Sequence, residues 1–121
     1  MQNNKSTPNI IVDLTFSFSI NIIKYIEVLE AGRKYIIALQ LLKSGTSIGA
    51  NVREAQNAES EPDFIHKMKI AAKEADETEY WLLLCNASKG YQPCDDLLTE
   101  CSILVKILSK IISSSKFRNG N

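Results

Sequence analysis

Ser44, Ser47, Asn51 and Glu54 recur at three- and four-residue steps in the segment Ser44-Gly45-Thr46-Ser47-Ile48-Gly49-Ala50-Asn51-Val52-Arg53-Glu54-Ala55. Continued as a helix, this spacing puts Ser44, Ile48, Asn51 and Ala55 near one inward stripe, with Ser47, Asn51 and Glu54 as a polar edge beside it. An amide and a carboxylate at a helix seam must find partners or stay wet. The segment is therefore a polar packing contact or a binding site. Two kinds of chemistry come into view. Ser44 or Ser47 with His66 and Glu54 would suit a hydrolase, and Glu54, Glu74 and Glu77 could gather a metal ion. The hydrolase reading is weak because His66 falls on a helix face away from the core stripe. The metal reading lacks the paired Glu-x-x-His motifs of a di-iron bundle. Cys85, Cys94 and Cys101 contain no C-x-x-C pair, and no glycine-rich phosphate loop follows a strand. The residues point to no catalytic group, no metal and no cofactor.

The elements that would carry these residues are helices. Thr7-Pro8 reads as a cap and first helical residue, followed by Ile11, Leu14, Phe18, Ile22, Tyr25 and Leu29 on one stripe and by Gly32 as a stop. Ile37, Leu41, Ser44, Ile48, Asn51 and Ala55 form a second stripe. Its phase runs unbroken through Gly45, so one continuous helix is expected there. Gly45 and Gly49, beside Ala38 and Val52, make a flat strip that another helix can approach closely. Ser60-Glu61-Pro62-Asp63 is a helix start. It leads into Phe64, Met68, Ala71, Ala75, Thr78, Leu82 and Cys85, with Gly90 closing. After Tyr91-Gln92-Pro93-Cys94, Asp95 or Asp96 caps a fourth stripe of Leu97, Cys101, Leu104, Leu108 and Ile111. No run alternates with period two. The expectation is one all-α domain over residues 1–121. It is an antiparallel up-down four-helix bundle with helices at about 8–31, 34–58, 61–89 and 96–114, fraying from Ser113.

Composition narrows the class. A hydrophobic fraction of 45% with 23% charged residues is that of a globular protein. Fourteen basic and fourteen acidic residues cancel, which removes the global positive charge of a dedicated nucleic-acid binder. Three cysteines favour a reducing compartment. The run Ile10-Ile11-Val12 is broken by Asp13, so neither a signal peptide nor a membrane span is read, and a cytoplasmic protein without a membrane partner is expected.

Two helices carry more apolar surface than a lone bundle needs. Val12, Phe16, Ile20 and Ile23 on the first, and Ile70, Trp81 and Leu84 on the third, lie off the main stripes. Large residues there imply subunit contacts, because burying each is worth about 1.5–3 kcal/mol. Phe16, Ile20, Ile23, Ile70, Trp81 and Leu84 are therefore the expected oligomer interface.

Ser47-Ile48-Gly49-Ala50-Asn51-Val52-Arg53-Glu54-Ala55, then Asp63-Phe64-Ile65-x-Lys67 and Ala71-Ala72-Lys73-Glu74-Ala75-x-Glu77-Thr78-x-Tyr80-Trp81-Leu82, resemble the bacterial 23S ribosomal-RNA intervening-sequence proteins. The accessory protein of diversity-generating retroelements belongs to the same superfamily. The resemblance implies a four-helix bundle assembled into a barrel-shaped homopentamer, with a molecular role that is mostly unassigned. It carries Asn51, Glu54 and Glu77, beside Ser47, as characteristic polar positions. The retroelement branch is basic, binds nucleic acid and engages a reverse transcriptase; this chain departs from that branch in being neutral.

Two function classes follow. The first is a non-catalytic oligomeric scaffold or binding module. The alternative is a nucleic-acid-binding accessory protein that partners a reverse transcriptase, with Lys24, Arg33, Lys34, Lys43 and Arg53 gathered into a contact surface and extended by Lys106 and Lys110.

Overall fold

A computed structural model of the protein describes the backbone of residues 9–120 and the side chains of residues 9–115. The expected Thr7-Pro8 start lies outside the described residues. Four helices follow one another: α1 Ile10–Ala31, α2 Tyr35–Ala55, α3 Glu61–Ala87 and α4 Asp95–Gly120. Each packs on its chain neighbours, α1 also meets α4, and the backbones of the diagonal pairs stay apart. The result is a square up-down bundle, and the described residues contain no strand.

The core is built from the stripes. Phe18, Ile22, Leu29, Leu41, Ile48, Met68, Leu82 and Leu108 are fully buried. Each contributes about 1.5–3 kcal/mol of transfer free energy. The first stripe needs one correction. Leu14, expected inside, is exposed, whereas Thr15 and Ile26 are buried. The cause is packing: α1 sits closely on α2 and more loosely on α4, so its buried arc is rotated toward α2. Thr15 tolerates burial because its hydroxyl donates to the Ile11 carbonyl at 2.8 Å.

Gly45 and Gly49 explain the close α1–α2 approach. A Cβ at Gly45 would stand 3.0, 3.1 and 3.3 Å from three carbons of Ile22, and one at Gly49 would stand 3.3 Å from the Thr15 carbonyl oxygen. The second helix runs unbroken through both glycines.

The ends depart from the expected limits by a few residues. Past Ala55, Gln56, Asn57 and Ala58 donate to Arg53, Glu54 and Ala55. These three-residue bonds tighten the chain into a turn and stop α2 short of residue 58. At the other extreme α4 continues to Gly120 rather than fraying from Ser113, and Ser115 is buried against the bundle. Asp95 opens α4 as its first residue, with Leu98 N–H bonded to the Cys94 carbonyl ahead of it. Ser60 caps α3 by accepting from Asp63 N–H at 3.2 Å, and the Asp63 carboxylate accepts from Glu59 N–H at 3.1 Å. Gly32 closes α1, yet the left-handed residue is Arg33, at φ 64°. Lys34 N–H reaches back to the Leu29 carbonyl at 2.8 Å, which fixes Arg33 at the position that ordinarily favours glycine.

Candidate functional site

The polar motif does not converge on one centre. Ser44 is buried and its hydroxyl lies 2.9 Å from that of buried Thr78, which also bonds the Glu74 carbonyl at 2.7 Å. This is a closed packing contact between α2 and α3, with every polar atom partnered inside the seam. Ser47 and Asn51 lie nearer the surface and turn back on their own helix. The Ser47 hydroxyl donates to the Lys43 carbonyl at 2.6 Å, and the Asn51 amide donates to the Ser47 carbonyl at 2.9 Å. Glu54 pairs with Lys67 of α3 at 3.1 Å, in an exposed bridge of the kind worth about 0–1 kcal/mol. Glu77 accepts the Trp81 indole N–H at 3.1 Å, one turn along α3.

No hydrolytic or metal geometry emerges among the described residues. His66 is exposed, and the hydroxyls of Ser44 and Ser47 bond Thr78 and the Lys43 carbonyl. No three His, Cys, Asp or Glu side chains come together to hold an ion. Burial pushes the Cys101 thiol up to about 12, with the charges of Glu79 and Asp76 adding to it. Burial likewise raises Cys85 and Cys94. All three are free, buried and held as neutral thiols, which are poor nucleophiles. Tyr25 is held neutral by the same burial, its hydroxyl donating to the Gln92 carbonyl at 2.6 Å.

The surface features are more informative. On α1, Phe16 is 62% exposed, and Ile20 and Ile23 are also exposed. On α3, Leu84 is exposed, while Ile70 and Trp81 are half-buried, Trp81 leaning on the core with the Tyr80 ring tilted at 59° to it, 5.5 Å between centroids. The outward corner of α2 adds Tyr35, Ile36 and Leu39, with Ile36 83% exposed. Sequence reading missed these three because they sit in the run Tyr35-Ile36-Ile37-Ala38-Leu39, where inward and outward positions are both apolar. It also missed the pair Asn21–Glu100, which ties α1 to α4 at 3.0–3.2 Å; neither residue lies on a stripe.

The five cations form no single patch. Asn21 faces α4, and Lys24 follows it by one turn, away from α2. Arg33 and Lys34 sit at the α1–α2 connection, where Lys34 lies 5.0 Å over the Tyr91 ring. Lys43 and Arg53 are spaced along the outer side of α2, so Lys34 and Arg53 are separated by about 28 Å of helix. None of the helices in the described residues is long and apolar enough to cross a membrane.

Comparison with known proteins decides the lineage. Residues 8–110 match the 23S rRNA-intervening sequence protein family. The chain belongs to this family. A crystal structure from Bacteroides thetaiotaomicron, of a protein of unknown function from the S23 ribosomal protein family, is 38% identical. The likeness covers 85% of this chain and 98% of that one, with a TM-score of 0.81. No curated protein matches. The intervening-sequence family match covers the whole Ser47–Glu54 motif and the α3 block through Trp81.

Proposed function

We propose that this intervening-sequence family member is a non-catalytic, self-assembling helical bundle that serves as a scaffold or binding module. The observation that carries the reading is the exposure of Phe16, Ile20, Ile23 and Leu84 on helices whose cores are already complete. Large apolar residues exposed together on α1, and again on α3, favour interaction sites over solvated faces. The finer form of the proposal is a homopentamer, the assembly that the family resemblance implies. The polar motif is structural in this reading: it fixes the register of α2 against α3 and orients Trp81. Light scattering on the purified chain tests the proposal. Assembly to a discrete multiple of the 13.5 kDa chain is expected. A clean monomer at micromolar concentration would end it.

A further inference from the structure

We infer that the groove between α1 and α4 binds a small amine: a protonated nitrogen, held at Glu100, on an apolar body the size of one aromatic ring. The site is separate from the self-assembly proposed above and does not depend on it.

The groove follows from the rotation of α1 toward α2, which strands Leu14 on the α4 side of the helix. Leu14 and Ile103 stand as its exposed walls, and buried Phe18 and Leu104 lie beneath them. The space is about 140 Å³. An apolar cavity of about 150 Å³ lined by such residues holds one benzene ring. The lining runs from Leu14 to Phe18 on α1 and from Glu100 to Leu104 on α4. Each run is one helical turn, about 6 Å. That is room for a ring or a short branched chain, and too short a seat for a helix or strand of another protein.

The polar groups set the sign of the ligand. Glu100 is half-buried and lines the groove. Its two carboxylate oxygens share one donor, the Asn21 amide, at 3.2 and 3.0 Å. A carboxylate offers about four acceptor positions, so most of its capacity is unused by the protein. It makes no ion pair among the described residues. Lys24 is one turn beyond Asn21 along α1, away from the groove, and α4 runs back to Asp96 at that level.

Ser17 adds a second acceptor. It is exposed in the lining, and its hydroxyl makes no hydrogen bond within the described residues, whereas those of Thr15, Ser19 and Thr46 bond their own helices. An ammonium has three donors and no acceptor, so Glu100 and Ser17 can both receive it. A carboxylate ligand would meet Glu100 with like charge. A neutral alcohol could bond Glu100, but a charge-assisted bond is about twice as strong as a neutral pair, so the amine is selected.

Isothermal titration calorimetry on the purified chain tests this with 2-phenylethylamine as the probe. A Kd of about 1 mM or tighter is expected for a ligand of this size. 2-Phenylethanol keeps the ring and loses the charge, and should bind more weakly by a factor of about ten or more. 3-Phenylpropanoate should not bind. Glu100→Gln keeps an acceptor for Asn21 and removes the charge; it should weaken the amine about tenfold and leave the alcohol unchanged. Ile103→Trp fills the groove from an exposed position and should abolish binding of both. Ser17→Phe fills it from the other helix should Ile103→Trp fail to fold, with circular dichroism checking each variant. Equal affinity for amine and alcohol would overturn the site. So would amine binding indifferent to Glu100→Gln, amine binding that survives a folded groove-filling variant, or no saturable binding to the wild type. None of these outcomes bears on self-assembly, which light scattering reads separately.

Discussion

Gly45→Ala is the substitution whose outcome follows most directly from the packing. In a helix interior, replacing glycine by alanine ordinarily gains about 1 kcal/mol. Here the new methyl would enter at 3.0, 3.1 and 3.3 Å from Cγ1, Cγ2 and Cδ1 of Ile22, inside ordinary contact distance for all three. Ile22 is completely buried, so it can retreat only by pushing α1 away from α2. Overpacking of this kind costs about 1–3 kcal/mol. The net expectation is a loss of about 0–2 kcal/mol instead of the usual gain, read as a lower urea midpoint with an unchanged slope. Ile22→Val supplies the control. Alone it should cost about 0.5–1.5 kcal/mol, and it removes the Cδ1 contact. Combined with Gly45→Ala, the total loss should fall short of the two single losses added together, because the neighbours share the same space. Stabilisation of about 1 kcal/mol by Gly45→Ala, with additive behaviour in the pair, would refute the view that this glycine sets the approach of α1 to α2.

Other outcomes follow from single sites. Arg33→Gly should stabilise the monomer by about 1 kcal/mol in urea titrations, since φ of 64° strains a residue with a side chain and costs glycine nothing. Cys101 titrates at about 12 in the fold against an ordinary 9.0, so the folded chain keeps a proton that the unfolded chain releases. Its contribution is complete below pH 9 and is lost as pH rises from there through the folded value. Wild type should therefore lose stability faster than Cys101→Ala above about pH 9, by about 1.4 kcal/mol per pH unit, in paired alkaline urea titrations. Trp81→Ala should weaken assembly by a factor of ten or more, about 1.4 kcal/mol, as seen by dilution in light scattering, while far-ultraviolet circular dichroism retains most of the helicity.

The bundle was legible because each helix carries a long stripe at one period. Met68, Ala71, Ala75, Thr78, Leu82 and Cys85 could be placed inward from spacing alone, and all are buried. The flat glycine strip was legible for the same reason, as only a close neighbour explains Gly45 and Gly49 four residues apart. Leu14 was misplaced because the stripe fixes a helix face only to within a residue. The balance between α2 and α4, which rotates α1, is a tertiary property. The fate of the polar motif was hidden as well. Spacing puts Ser47, Asn51 and Glu54 along one edge, but only coordinates show that the first two bond their own helix and that Glu54 finds Lys67 across the seam. Function was less legible than fold because Ser44, Ser47, Asn51 and Glu54 each bond within the bundle and do not converge on one centre among the described residues.

Sedimentation equilibrium of the purified chain, run from low to high micromolar protein at physiological salt, tests self-assembly most directly. The account predicts one discrete multimer, with a mass several times the 13.5 kDa of the chain and dissociating only on dilution. A species of single-chain mass at every concentration would contradict it.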